Sequence, residues 1–253
     1  MAHQATPVRT ARLGRTLGTE PAAVGGAVLL LPGAQEVSTR RPSPVLAAAS
    51  LRALGRRLAR AGREEDLAVH VVHYRYRGWN GAEAHAAADA AWAVEEVVRR
   101  YGDVPVCLAG PGMGGRAALH AAGHETVNSV VALAPWLPED DMAASPEPVR
   151  QLAGRQVLIV HGTNDERTDP ELSFRFAERA KKANRDVCRF EVHADGHGLR
   201  QYRDEVLALT TDFVMGSLFG RVFSRPVQDA LAAPPPLGLR MPLAAGFGRT
   251  LRR

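Results

Sequence analysis

Three stretches of the sequence combine glycines with residues that could act as an acid, a base or an anion-binding backbone. They read CLAGPGMGGRAALHAAG at residues 107–123, VLIVHGTNDERTDPELS at 157–173 and FEVHADGHGL at 190–199. A carboxylate that accepts a hydrogen bond from a histidine orients the imidazole and lets it serve as a general base. Asp165 in the second stretch and His197 in the third could form such an acid–base dyad.

Each of these stretches follows an apolar run that has the length of a buried strand. Strands are predicted at 27–31, 68–74, 104–109, 129–134, 156–161 and 187–193, and helices at 46–61, 84–100, 115–122, 170–183 and 200–217. This alternation predicts an α/β fold, a doubly wound and mainly parallel sheet with helices on both faces. The carboxyl ends of parallel strands meet at one edge, where ligand sites form, so the dyad is expected at that edge.

The order and spacing of the three stretches resemble those of the α/β-hydrolase family over roughly residues 25–218. In that family a strand runs into G-x-S-x-G and then a helix, while an aspartate and a histidine follow later strands. Gly110 and Gly114 match the two glycines of this motif. The resemblance implies the α/β-hydrolase fold, with Asp165 as the acid and His197 as the base.

The position of the family's serine nucleophile falls on Gly112. Glycine has no side chain that can attack a carbonyl carbon, and covalent catalysis needs an activated hydroxyl or thiol. Glycine also adopts the strained angles of this turn cheaply, so we expect it to relax the turn. We expect none of the nearby hydroxyl or thiol groups to replace the serine: Cys107, Ser129, Ser38 and Thr39.

The resemblance also implies an oxyanion hole built from two backbone N–H groups. One follows the nucleophile and one follows the first strand, and Met113 and Ala34 occupy these positions. The helix after the glycine motif directs the positive end of its dipole to the same place, which favours an anion. The expected pocket wall comprises Gly33, Pro111 and Trp136, whereas His161, Trp79 and Trp92 are expected to be structural.

Composition limits the class of protein. A chain of 253 residues with 45% hydrophobic residues suits one large domain. Cys107 and Cys188 lie in apolar runs and are predicted to be buried thiols, too few for a disulfide framework. We expect no metal and no cofactor. The absence of a long apolar run argues against a membrane span, and without a secretory signal we predict a cytoplasmic location, while the bias towards arginine and alanine favours a bacterial source.

The chain divides into an N-terminal segment 1–24, a hydrolase-like domain 25–219 and a tail 220–253. The short stretch 135–155 leaves room for little or no cap domain, with one helix at 147–152, as in dienelactone-hydrolase-like relatives. The tail carries six arginines and a Pro-Pro-Pro run, so we predict a basic, largely unstructured and flexible segment. No nucleic-acid motif accompanies it, and its apolar residues leave packing on the body or on a second subunit open.

Three functions remain open for such a site. The first is hydrolysis of an ester, lactone or thioester by a water that His197 activates, without a covalent intermediate. The second is a non-catalytic pseudohydrolase that binds a small molecule or a protein. The third is a lyase or isomerase that uses His197 as acid and base. All three differ from the usual serine hydrolase because Gly112 cannot form an acyl-enzyme.

Overall fold

The structure, a computed structural model, describes residues 9–18, 22–139 and 146–249. Its centre is an eight-stranded sheet. The strands are β1 (Arg12–Leu13), β2 (Gly26–Leu30), β3 (Leu67–His73), β4 (Val106–Pro111), β5 (Val127–Leu133), β6 (Gln156–Gly162), β7 (Val187–Val192) and β8 (Met241–Pro242). Their order is β1-β3-β2-β4-β5-β6-β7-β8, in which only β1 is antiparallel to its neighbour. The prediction of a doubly wound, mainly parallel sheet is confirmed.

Helices cover both faces of the sheet. They are α1 (Pro44–Ala61), α2 (His85–Tyr101), α3 (Met113–His120), α4 (Pro170–Ala183), α5 (Arg203–Phe219) and α6 (Arg225–Ala232). Helices α2, α3 and α4 pack in one core cluster with the sheet, and α1, α5 and α6 pack in the other. In α1 the buried face consists of Leu51, Leu54 and Leu58, whose spacing of three to four residues matches the helical period. None of the helices within the described ranges is long and apolar enough to cross a membrane.

The connection between β5 and β6 is short. Its described parts, residues 134–139 and 146–155, contain a single 3₁₀ turn, Arg150–Leu152, and no cap domain. The helix predicted at 147–152 is therefore reduced to this turn. Residues 140–145 of the connection lie outside the described residues.

The C-terminal region is more ordered than its sequence predicts. Helix α6, a 3₁₀ turn at Leu237–Leu239 and strand β8 all lie beyond residue 219. The prediction of a largely unstructured tail is wrong for 225–242, because apolar side chains there are buried against β7. Val227 and Ala230 belong to the core cluster that contains α5, and Leu239 to the cluster that contains α4. A proline in the first turn of α6 is tolerated because that position needs no helical N–H donor.

Parts of the predicted outer segments lie outside the described residues: 1–8, 19–21 and 250–253. Within the described part of the N-terminal segment, β1 pairs with the end of β3, with Arg12 opposite His73. The division into 1–24, 25–219 and 220–253 stays a prediction.

Candidate active site

A sharp turn joins β4 to α3, and Gly112 lies at its apex. Its φ of 54° and ψ of −121° lie in a region that side-chain-bearing residues rarely adopt. The Gly112 N–H donates to the Leu133 carbonyl at 2.9 Å, and the Gly112 carbonyl accepts from the N–H groups of Arg116 and Trp136, both at 3.1 Å. The sharp turn is therefore retained, and glycine removes only the strain that a side chain would cause there.

The two outer glycines of the motif are needed for close packing. A β-carbon on Gly110 would lie 2.4 Å from the Leu31 carbonyl oxygen, and one on Gly114 would lie 2.1 Å from the same atom. Any side chain at these positions would push α3 away from the end of β2. The glycines thus bring the turn at Gly112 close to the loop that follows β2.

The structure brings Asp165 and His197 together at the carboxyl edge of the sheet. His197 Nδ1 lies 2.9 Å from Asp165 Oδ2, and the aspartate side chain is fully buried while 28% of the histidine side chain is exposed. Because a carboxylate oxygen can only accept, Nδ1 carries the proton of this hydrogen bond. The second ring nitrogen, Nε2, is left to act on a ligand. A β-carbon on Gly112 would lie 3.8 Å from it, so the imidazole faces the bare turn.

Several donors hold Asp165 in its ionised form. Its Oδ1 accepts from the backbone N–H groups of Arg167 at 2.9 Å and Thr168 at 3.0 Å. Its Oδ2 accepts from Thr168 Oγ1 at 2.6 Å and lies 3.2 Å from His161 Nε2. Burial acts to raise the pKa of the carboxyl, but the hydrogen bonds from His161, Thr168 and the backbone outweigh it and hold the pKa well below its usual range. The carboxylate is therefore charged at neutral pH.

The sequence did not reveal that Thr168 and His161 both contact the Asp165 carboxylate. Thr168 Oγ1 also lies 3.2 Å from His197 Nδ1, so the hydroxyl contacts both members of the dyad. His161 is fully buried, and its Nδ1 lies 2.8 Å from Ser173 Oγ. Its structural role therefore includes positioning the aspartate. Part of the signal was present in the turn itself, since an aspartate in a turn commonly accepts from the backbone N–H two residues on, as Asp165 does from Arg167.

A second aspartate orders the turn that carries His197. The Asp195 carboxylate accepts from four backbone N–H groups at 2.9–3.2 Å, which belong to Gly196, Arg200, Gln201 and Tyr202. The same turn is tied to β6, because the Ala194 N–H donates to Thr163 Oγ1 at 3.0 Å. The imidazole is thus presented by a rigid turn rather than by a free loop.

The dyad opens into a cavity of about 610 Å³, which we call the central cavity. Its wall contains every residue predicted for the pocket and the oxyanion hole: Gly33, Ala34, Pro111, Gly112, Met113, Trp136 and His197. Asp165 is not part of the wall and lies behind His197. Polar side chains that the sequence did not single out also line the cavity: Glu36, Ser43, Arg77, Arg167 and Thr168.

The two predicted oxyanion donors are available. Within the described ranges, neither the Met113 N–H nor the Ala34 N–H donates to a protein acceptor. Met113 is the first residue of α3, where a backbone N–H has no partner inside the helix. The loop after Ala34 is fixed by a reciprocal bond pattern, in which Gln35 donates to the Arg77 carbonyl and accepts from the Trp79 N–H, both at 2.8 Å.

The alternative nucleophiles lie away from the cavity. Cys107 is fully buried in β4, and burial raises the pKa of its thiol to about 12. Cys188 is likewise a free and buried thiol. Ser129 is buried and accepts a hydrogen bond from Ser217 Oγ at 2.8 Å. Neither Ser38 nor Thr39 belongs to the cavity wall.

One wall of the cavity is fixed by a buried cation. The Arg116 guanidinium on α3 lies 5.0 Å from the ring centre of Trp136 and 3.9 Å from that of Trp79. It donates through Nε to Glu147 Oε1 at 2.8 Å, and Glu147 also pairs with His120. Burial opposes the charge of Glu147, yet hydrogen bonds from His120 and Arg116 lower its pKa. Trp136 therefore has a rigid support.

Comparisons with known proteins agree with this architecture. The sequence matches no protein-family model, and no curated protein matches it. Solved structures, in contrast, do resemble this chain. An esterase of Pyrococcus furiosus superposes with a TM-score of 0.60 at 16% identity, covering 77% of this chain and 82% of the esterase.

Two further structures extend the likeness. A serine hydrolase without a lid from Xanthomonas campestris gives a TM-score of 0.56 at 18% identity, covering 83% of this chain and 89% of the other. A thermophilic esterase of Thermogutta terrifontis gives 0.59 at 19% identity, covering 84% and 91%. Together with the sheet order and the sharp turn after β4, these likenesses establish that the chain has the α/β-hydrolase fold.

Proposed function

We propose that the protein hydrolyses an ester, lactone or thioester without a covalent intermediate, using His197 as a general base. The observation that carries this proposal is the pairing of a complete dyad with a bare turn. His197 Nδ1 is bonded to a buried carboxylate at 2.9 Å, and its ring faces the place where a serine side chain would stand. A water molecule in that place would lie next to the base.

The reaction consumes one water and yields the acid and the alcohol or thiol. His197 Nε2 takes a proton from the water as the water oxygen attacks the carbonyl carbon. The carbonyl oxygen becomes an oxyanion that accepts from the N–H groups of Met113 and Ala34. The tetrahedral intermediate then releases the alcohol or thiol, to which His197 returns the proton. Asp165 stays ionised throughout and stabilises the imidazolium.

The expected rate is low. A positioned general base contributes about 10²–10⁴-fold. Hydrolases that have lost a member of the triad retain about 10³–10⁴-fold acceleration over water through the oxyanion hole and binding. We therefore expect a slow enzyme, and Gly112→Ser is expected to be faster than the natural protein.

A second function, binding without turnover, is favoured by the missing nucleophile. The central cavity has a volume of about 610 Å³, which falls within the range of sites that bind small molecules. In this reading the dyad and the two free N–H groups hold a carbonyl or carboxylate group of a ligand. The two functions differ in whether His197 is needed for turnover.

The test is hydrolysis of p-nitrophenyl acetate and butyrate by the natural protein, His197→Ala and Gly112→Ser. The matched control is His193→Ala, since His193 is an exposed histidine of the same turn region. We expect turnover by the natural protein and by the control, and its loss in His197→Ala. Activity in Gly112→Ser alone would support binding without turnover. Equal activity of the natural protein and His197→Ala would refute general-base hydrolysis.

A further inference from the structure

A second, smaller cavity lies beside the central cavity and is lined by four arginines. It has a volume of about 270 Å³ and shares Pro32 and Pro42 with the central cavity. We call it the arginine cavity. Its cations come from three separate parts of the chain: Arg9 and Arg12 around β1, Arg41 after β2, and Arg75 after β3.

The charge of this cavity is only partly balanced. Arg75 Nε pairs with Asp89 Oδ1 at 2.5 Å. Arg9 donates to the Thr39 carbonyl and lies 5.4 Å from the ring centre of Tyr76, and it has no carboxylate partner among the described residues. Arg12 and Arg41 also lack a carboxylate partner within the described ranges, and both are exposed. A concave site with several cations and one anion focuses a positive potential.

Buried polar groups of the same wall also lack partners. Tyr74 lines the cavity and is only 5% exposed, and its hydroxyl makes no hydrogen bond among the described residues. Burial, followed by the negative charge of Asp89, raises the pKa of Tyr74, so the phenol keeps its proton. His73 Nδ1 is a second buried and unpartnered atom of the wall. Neither atom is exposed to the cavity, so the arginines, and not these two groups, would contact a ligand.

We propose that the arginine cavity binds the phosphate or pyrophosphate group of a small molecule, with Arg12 and Arg41 as its main contacts. Guanidinium groups suit phosphate because their planar donors form two parallel hydrogen bonds with its oxygens. A group with more than one negative charge also matches the surplus of cations better than a single carboxylate. The concave shape of the cavity favours a small molecule over a flat membrane surface.

The position of the cavity adds a substrate class, a step that rests on the proposed hydrolysis. Because Pro32 and Pro42 line both cavities, the two cavities are neighbours, and a ligand with its anionic group in the arginine cavity would need to extend past these prolines to enter the central cavity. An ester or thioester whose leaving group carries a phosphate would then place its carbonyl near His197. Binding of the anion can be tested without turnover, so failure of one proposal is distinguishable from failure of the other.

The experiment is calorimetric titration of inorganic pyrophosphate into the full chain at constant ionic strength. We expect binding by the natural protein and at least about tenfold weaker binding in Arg12→Ala and in Arg41→Ala, each of which removes a charge-assisted bond. The control is Arg52→Ala, an exposed arginine of α1 outside the cavity, which should bind as the natural protein does.

Tyr74→Phe is a second control, at a wall residue whose hydroxyl is not exposed to the cavity. It should leave pyrophosphate binding unchanged, because it removes a hydroxyl that cannot contact the ligand. No pyrophosphate binding, or equal weakening by Arg52→Ala, would overturn the proposal. So would binding to phosphatidic acid vesicles with no binding of pyrophosphate.

Discussion

Gly112 adopts φ 54° and ψ −121°, and a β-carbon there would meet only the His197 ring, at 3.8 Å. Space is therefore available, and the only penalty of a side chain is the backbone angle. We predict that Gly112→Ala lowers the free energy of unfolding by about 1–3 kcal/mol, the usual cost of such strain. Urea unfolding measures it.

Gly123→Ala provides the control for this prediction. A β-carbon on Gly123 would make an ordinary contact with Gln151 at 3.6 Å, and its φ is not positive. We expect a much smaller change for Gly123→Ala than for Gly112→Ala. Equal changes would show that the backbone angles at position 112 do not strain an alanine.

The ionised Asp165 carboxylate should make the free energy of unfolding depend on pH in the acid range. Its pKa in the folded protein is depressed below the ordinary value of 3.8. The stability that this carboxylate contributes is therefore complete above about pH 4 and is lost as the pH falls from there towards the folded pKa. We predict that Asp165→Asn lowers stability at pH 7 and flattens the acid-side loss, as measured by urea unfolding between pH 2 and 7.

Asp212 provides a control of opposite sign. Burial raises its pKa, although hydrogen bonds from Ser224 partly oppose the shift. The folded protein binds this proton at a higher pH than the unfolded chain, so stability from Asp212 increases as the pH falls. Asp212→Asn should therefore make the acid-side loss steeper. A flatter loss in both variants would contradict the assigned directions.

At the scale of elements, the strands that build the site follow from the sequence because they are continuous apolar runs, buried on both faces of the sheet. Helices such as α1 follow from their periodic apolar face. The six predicted strands and five predicted helices recur within a few residues of the observed bounds. The proximity of Asp165 and His197 follows from their place after neighbouring strands, β6 and β7, which are parallel. The contact of His161 with Asp165 could not be read from periodicity, because it depends on how one turn folds back on its strand.

The connection after β5 is tied to α3 by a buried ion pair. The Glu147 side chain is 7% exposed, that of Arg116 is 11% exposed, and the two are paired. We predict that Glu147→Gln lowers the free energy of unfolding by about 3–5 kcal/mol, because removing one charge leaves the other buried and uncompensated. Thermal or urea unfolding measures the change.

Glu125→Gln is the matched control, since Glu125 is exposed and has no ion-pair partner within the described ranges. Its stability should equal that of the natural protein. Trp79 and Trp136 both pack on Arg116, so the tryptophan fluorescence should shift in Glu147→Gln and stay unchanged in Glu125→Gln. An unshifted emission spectrum in Glu147→Gln would show that the cavity wall does not depend on the ion pair.

At the scale of the molecule, the arginines of the basic C-terminal region form ion pairs with the body, in addition to its buried apolar contacts. Arg240 pairs with Glu171 at 3.1 Å and with Glu191 at 3.2 Å, and Arg221 pairs with Glu65. The sequence showed a surplus of arginine there but not its partners, which lie far away along the chain. Contacts of such long range depend on the assembled sheet, so local patterns cannot predict them.

Leu239 joins this region to the core and gives the last prediction. It is fully buried, and its carbonyl accepts from the buried Arg189 side chain at 2.9 Å. Leu237 lies in the same 3₁₀ turn and is 67% exposed. Leu239→Ala should lower the free energy of unfolding by about 2–5 kcal/mol because it leaves a cavity, whereas Leu237→Ala should change it by less than about 0.5 kcal/mol. If urea unfolding gives equal small changes, the C-terminal region is not docked on the sheet in solution. A large change confined to Leu239→Ala would instead make this region part of the folded domain.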